Sequence, residues 1–293
     1  MWVLIALLIS FISSIYFLAI QNIKIDANLF VLYRGWIISL MLLPVLLLNP
    51  VTFSFAFYVM SFVQGIFISY MDYQSFNVNK NYGAETVSSM MPFSVVLIFV
   101  FWCMIDPTLF MKYCRTPVRT CFILLSLVGI IFSLCKYYQV KFTRSALIKI
   151  FPVLFFSACI AIINKSIMNF TEGNTLIRSC YGVALSSIVV GIVHLFMYIH
   201  QKLPLKKIIA KENLQKSTIL FLLLLIIVLK NIAFYYVDNP AYVSCLTYIM
   251  LIWIMILGKY VKCFAFKNKE IQTAKKWKII FVFSIILLII ATN

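Results

Sequence analysis

The sequence predicts an all-α integral membrane protein of ten transmembrane helices, arranged as two inverted-topology five-helix repeats. Three observations carry that prediction. The 293 residues are 64% apolar and only 11% charged, with a mean hydropathy of +1.04, whereas a soluble domain carries roughly 25% charged residues. The apolar residues collect into ten windows of 16 to 24 residues, read as helices crossing the roughly 30 Å hydrocarbon layer, for which about 20 residues suffice, and a helix satisfies its own backbone there. Short stretches of the first half then recur, in the same order, in the second.

The windows are 1–20, 27–48, 52–71, 86–105, 119–136, 149–168, 176–199, 217–237, 240–258 and 277–292. The first has the length of a signal peptide, but it lacks a basic leading segment and a small-x-small cleavage pattern, so it reads as a first span. Polar and turn residues set the breaks at Asn49-Pro50, 77–83, Asp106-Pro107, 171–174, 202–216 and 238–240. Segments five and six are separated only by residues 136–149, which leave little room for a loop. No hydrophilic stretch is long enough to bury a core of its own. The eight cysteines form no CxxC pair and lie mostly in apolar runs, as small buried hydrophobes rather than a disulfide frame or metal site.

The repeat is read from three matches. The end of segment three, Gln64-Gly65-Ile66-Phe67-Ile68-Ser69-Tyr70-Met71-Asp72, lines up with Lys230-Asn231-Ile232-Ala233-Phe234-Tyr235-Tyr236-Val237-Asp238 at the end of segment eight, sharing Ile, Tyr and Asp. Glu85-Thr86-Val87-Ser88-Ser89-Met90 matches Ala241-Tyr242-Val243-Ser244-Cys245-Leu246, and Arg34 at the start of segment two has a counterpart in Arg178 at the start of segment seven. Two domains follow, 1–140 and 141–293. Because five is odd, the second half enters the membrane with the opposite orientation, an arrangement in which the substrate site lies near the midplane between the halves.

Segment two reads Phe30-Val31-Leu32-Tyr33-Arg34-Gly35 and then runs apolar to Pro44. Segment three closes on Tyr70-Met71-Asp72-Tyr73, and segment four carries Pro92 ahead of an apolar run. With ten helices in two halves, the whole chain resembles the EamA branch of the drug/metabolite transporter superfamily. It departs from the family's pattern after segments four and nine, where a Gly-Glu pair is common and this chain has Asp106 and Gly258-Lys259. The resemblance implies a carrier of small metabolites whose third and fourth helices of each half line the pore. Carried onto this chain, that names Gln64, Tyr70, Ser88, Ser89, Tyr236, Ser244, Thr247 and Tyr248. These are polar or amphipathic groups at matched positions, although Ser and Thr also serve interhelical packing.

Ionisable groups inside spans cost about 2.5 to 3.5 kcal/mol at a helix centre and usually face a cavity or a partner. Lys230, with Asn231 beside it, follows an apolar run and lies roughly 20 Å along segment eight. It suits a substrate carboxylate or phosphate, or else it snorkels to the nearer interface. Arg34 could bind an anion bidentately or anchor to a helix-end carbonyl or Asp26. His194 is a candidate for proton coupling and otherwise a neutral hydrogen-bonding core residue. Glu85 is a second coupling candidate, or a carboxylate complementing a helix N-terminus.

Of the 25 Lys and Arg residues, eighteen fall in or beside odd-numbered loops and five in or beside even ones, with Arg34 and Lys230 inside spans. The positive-inside rule then puts the odd loops in the cytoplasm and both termini outside, whereas the resemblance implies cytoplasmic termini. The net charge of +17 therefore reports loops, and nucleic acid is not an expected partner. An enzyme is not expected either. The chain has only two histidines and no two of its eight acidic residues lie within ten positions, which excludes His-Glu-x-x-His and paired-aspartate chemistry, and it has no GxxxxGK[ST] loop. The expected function is a multi-pass secondary transporter in the inner (cytoplasmic) membrane. It would move a small polar metabolite, anionic or amino-acid- or nucleotide-like, by alternating access coupled to a proton or counter-substrate. It needs no cofactor or metal and works as a monomer or homodimer. The alternatives are a lipid-linked-substrate flippase or a non-transporting assembly protein.

Overall fold

The computed structural model describes residues 1–20, 23, 25–82, 91–137, 144–260 and 275–292. The described residues are helical, with no strand. The helices are α1 (Trp2–Ile20), α2 (Ala27–Leu48), α3 (Phe55–Tyr82), α4 (Ser94–Ile105), α5 (Pro107–Arg115), α6 (Pro117–Tyr137) and α7 (Arg144–Met168), then α8 (Thr175–His200), α9 (Lys211–Lys216), α10 (Leu220–Tyr235), α11 (Pro240–Thr247), α12 (Met250–Tyr260) and α13 (Lys275–Thr292). Among the described residues, seven spans are long and apolar enough to cross a membrane: α1, α2, residues 55–75 of α3, residues 117–134 of α6, residues 148–168 of α7, α8, and 211–235 through α10. The chain is thus a multi-pass membrane protein by length and composition. The remaining apolar windows are a bent pair over 91–115 and two shorter helical stretches, Pro240–Ile254 and Ile279–Thr292.

Helix starts follow from capping. The Asp26 carboxylate accepts from the Asn28 and Leu29 N–H groups at 3.0 and 3.3 Å to open α2, and Asn174 accepts from Ile177 at 2.8 Å to open α8. Asp106 caps α5 through the N–H groups of Thr108 and Leu109, both at 3.1 Å, with Pro107 at the first helical position. Within spans, serine hydroxyls donate back to carbonyls three or four residues earlier, as in Ser10 to Leu7, Ser14 to Phe11 and Ser61 to Phe57. Each hydroxyl is thereby satisfied without a partner helix, and the small side chain still permits close packing.

Three sequence expectations are corrected here. The break expected at 77–83 is not a break as far as Tyr82, because a polar tract beyond the apolar part of α3 can continue a helix in water. Segment nine, expected unbroken over 240–258, divides at Tyr248 and Ile249 into α11 and α12. Between segments four and five the chain does not simply turn. It bends by 104° at Asp106 into α5, an amphipathic helix that buries Leu109 and Tyr113 and exposes Phe110, Met111 and Arg115.

Helix α2 packs on α8, α6 on α13, α3 on α7 and α8, α1 on α10, α11 and α12, and α4 on α7 and α11. The α2–α8 crossing is backbone on backbone. A Cβ at Gly35 would lie 2.3 Å from the Gly191 nitrogen, so glycine is required by space rather than by conformation. The largest apolar cluster lies where α1, α4, α10 and α11 meet, around Trp2, Ile98, Phe234 and Tyr242. Helices cross in alternate directions, so the loops joining α2 to α3, α7 to α8 and α10 to α11 gather at the end where α1 begins, here called the proximal end. The distal end carries the α1–α2 and α8–α10 connections. One tyrosine ties each end. Tyr181 on α8 bonds the carbonyls of Leu46 and Asn49 at 3.2 and 3.0 Å, while Tyr33 on α2 bonds those of Lys207 and Ile208 at 3.2 and 2.9 Å.

Candidate functional site

Polar side chains buried in an apolar bundle must find partners or face a cavity, so they mark the interior path. They fall into three groups. At the distal end Arg34 of α2 makes an ion pair with Asp72 of α3, both side chains less than a fifth exposed. Tyr16 and the fully buried His194 lie close enough to feel both charges. The ring of His194 makes no well-formed hydrogen bond among the described residues, the Ser69 backbone being a close polar neighbour. Arg34 thus finds Asp72 rather than Asp26, which is occupied as a helix cap.

The second group lies deeper. Gln64 of α3 donates through Nε2 to the Asn164 Oδ1 of α7 at 2.7 Å, and its own Oε1 is buried without a partner. Asn231 of α10 is fully buried with Oδ1 unpartnered. Lys230 beside it is half-buried, with Nζ 5.6 Å from the centre of the Phe234 ring. Ser244 is buried with its Oγ unpartnered, and Thr247 bonds back to the Ser244 carbonyl at 2.6 Å, next to the α11–α12 division. Tyr248 sits in that division, half-buried and beside Ser94 at the start of α4.

The third group lines a polar cavity of about 350 Å³ at the proximal end. Its walls come from the α4–α5 bend (Asp106, Lys112), the end of α7 (Lys165, Asn169) and the end of α10 (Tyr236, Asp238). Lys165 is only 6% exposed. Its ammonium reaches the Tyr235 carbonyl at 3.5 Å, and no carboxylate among the described residues pairs with it. Asp238, by contrast, pairs with Lys112 at 2.6 Å, both exposed. Trp102 Nε1 donates to the Asp238 carbonyl at 2.8 Å, and the hydroxyls of Tyr113 and Tyr242 share a short hydrogen bond, so α5 is fastened over one side of the cavity. Behind the opposite wall the buried Arg178 lies against the Tyr235 ring, 5.2 Å from its centre, with Nε unpartnered. A larger groove of about 600 Å³, between the start of α6 and the end of α13 and lined by Phe122 and Ile290, is mainly apolar.

Among the sequence-predicted residues, the structure brings Arg34 to His194, sets Lys230 and Asn231 on α10 on the way to the cavity, and puts Tyr236 in the cavity wall. It does not bring Arg34 and Lys230 together, since they lie toward opposite ends of the bundle. Tyr70 is 41% exposed and packs on Phe156 with ring centres 4.7 Å apart. Ser88, Ser89 and Glu85 lie outside the described residues. Arg34 is the eighth residue of α2 and Arg178 the fourth of α8, so the two arginines are one turn out of register in their helices. The groups missed were Lys165, Asn164 and Asp72's role as partner. Lys165 could have been found as a charge one turn inside the end of an apolar run, next to Asn164, instead of being counted with a loop. No cluster of three or more His, Cys, Asp or Glu that could hold a metal occurs among the described residues. A scan against protein-family models and a search of curated proteins find no match for this chain.

Proposed function

We propose that the chain is a secondary carrier of a small polar metabolite, built as two five-helix halves of opposite orientation. The reading rests chiefly on the packing pattern. Numbering the ten apolar segments in order, exchanging each segment with the one five places along leaves most of the principal pairings in place, the exception being three with seven, whose image, eight with two, is a much slighter contact. Two with seven and five with ten map onto themselves, three with six onto eight with one, and four with six onto nine with one.

Element ends agree with that exchange. Helices α1 and α7 end at Ile20 and Met168, six residues follow each, and α2 and α8 begin after the caps Asp26 and Asn174. In this register Tyr33 corresponds to Tyr181, and each ties down a loop of the opposite half. Segment nine is interrupted at Tyr248–Ile249, just before Met250, and the described part of segment four opens on a short 3-10 turn at the matched place, Met91–Phe93, just before Ser94. Interrupted helices are where carriers of this architecture bind their substrate.

The polar groups support a path with one end shut and the other open: the Arg34–Asp72 pair closes the distal end, and the Lys165 cavity opens proximally. Alternating access would reverse the two. The test is exchange across vesicles: purified protein in liposomes preloaded with a metabolite mixture should accumulate a labelled solute by counterflow, with and without an imposed proton gradient. Lys230→Ala should abolish that flux at normal protein level, and undiminished transport would remove Lys230 from the path. Absence of counterflow for every solute in the mixture would count against the carrier reading itself.

A further inference from the structure

We infer that the proximal cavity is a binding site for a zwitterion, a molecule carrying a carboxylate and an ammonium a few bonds apart. This deepens the carrier reading and rests on it for its consequence in transport, but binding can be measured without it.

The argument is one of charge accounting within a single cavity. Four charged side chains line it: Lys165, Lys112, Asp106 and Asp238. Two of them, Lys112 and Asp238, already pair with each other at the rim. That leaves one buried cation and one carboxylate with free valence on different walls. The Lys165 ammonium has three donors and one long contact, to the Tyr235 carbonyl. Taking a lysine out of water to 6% exposure without a direct ion-pair partner is costly; Asp106 and Asp238 attract it only from beyond ion-pair reach, and a ligand carboxylate entering the cavity would supply the contact partner it lacks. The Asn169 amide, in the next turn of the same segment, lines the cavity as well.

On the other wall, Asp106 uses Oδ1 for the α5 cap, and its Oδ2 has no hydrogen bond among the described residues. It is placed to receive an ammonium. A net anion such as phosphate would meet Lys165 but also Asp106 and Asp238. A simple amine would meet Asp106 but also Lys165 and Lys112. A ligand with both charges meets a partner at each end and repulsion at neither. The volume of about 350 Å³ admits a molecule of α-amino-acid size with a side chain, and Trp102 and Tyr236 in the lining offer that side chain aromatic surface.

The experiment uses the purified full-length chain in detergent and its thermal unfolding midpoint. The probes are glycine, alanine, leucine and phenylalanine, the carboxylic acids lacking the amine, the amines lacking the carboxylate, and inorganic phosphate. At least one amino acid should raise the midpoint saturably, with an apparent affinity tenfold or more above both of its one-charge analogues. Lys165→Gln should weaken that affinity at least tenfold. Asp106→Asn, which keeps a capping side chain for α5, should do the same and leave the ligand-free midpoint near that of the parent. Equal affinity for a one-charge analogue, tighter binding of phosphate, or no shift with any probe overturns the assignment. Counterflow with the same amino acid separates the two levels. Binding without exchange would leave the site standing and sink the carrier reading, while exchange of some other solute without amino-acid binding would do the reverse.

Discussion

Asp72 shows how much one carboxylate decides in an apolar bundle. Its pairing with Arg34 is largely buried, and removing one member of such a pair leaves the other charge without compensation, at a cost of about 3–5 kcal/mol. Arg34→Ala and Asp72→Ala should therefore each lower the unfolding midpoint sharply in detergent. The double variant should recover much of the loss, since an empty apolar site is cheaper than a lone charge. Independent, additive losses would show that the pair is not coupled. The unpartnered Asn231 Oδ1 makes a contrasting case. An orphaned buried acceptor costs about 1–3 kcal/mol, so Asn231→Leu should leave stability unchanged or raised while reducing transport, and a strongly destabilised variant would mean the amide is a packing element instead.

At the level of elements, the α2–α8 crossing depends on Gly35, which faces the Gly191 backbone, while Gly191 itself faces the Trp36 ring. Gly35→Ala puts a methyl 2.3 Å from the Gly191 nitrogen, where only backbone movement can relieve it. Overpacking of this kind costs typically about 1–3 kcal/mol, and loss of monodisperse protein on size exclusion is the expected result. Gly182→Ala is the matched control, because its nearest neighbour is the Ile167 side chain at 3.1 Å, which can turn aside. Equal tolerance of both substitutions would contradict a fixed crossing. The helices themselves were largely legible in the sequence, since apolar length and capping residues such as Asp26 and Asn174 are local properties. The α5 bend and the α11–α12 division were less so. Asp106-Pro107 announces a stop, but whether the chain then turns, or lies crosswise and is fastened by Trp102, Lys112 and Tyr113 to the α10–α11 corner, depends on residues about 130 positions away. The candidate site was legible only in part for the same reason. Lys230 stands out because it follows a long apolar run, whereas Lys165, one turn inside the end of its run, is easily counted with the adjoining loop, and its place in the cavity shows only once three helix ends converge on it.

For the whole molecule, the packing brings the start of α1 and the end of α13 to the same face, as shown by Arg119, at the start of α6, donating to the Ala291 carbonyl at 2.6 Å. By the positive-inside rule the distribution of basic residues would put that face outside the cell, and on that reading a reporter fused after Asn293 should show the activity of an extracytoplasmic C-terminus. Activity typical of a cytoplasmic one would reverse the orientation without altering the fold. The crosswise helix α5 supplies an independent check. It presents Cys114 in an exposed position on the proximal face, whereas the exposed Cys121 lies within an apolar span, where water-soluble thiol reagents do not reach. With Cys135 and Cys263 replaced by serine, a membrane-impermeant maleimide applied to intact cells would react at Cys114 only if the cavity opens to the exterior. A helix that at first looks like an interruption of the bundle thus gives the protein a built-in chemical tag for the side to which its polar cavity opens.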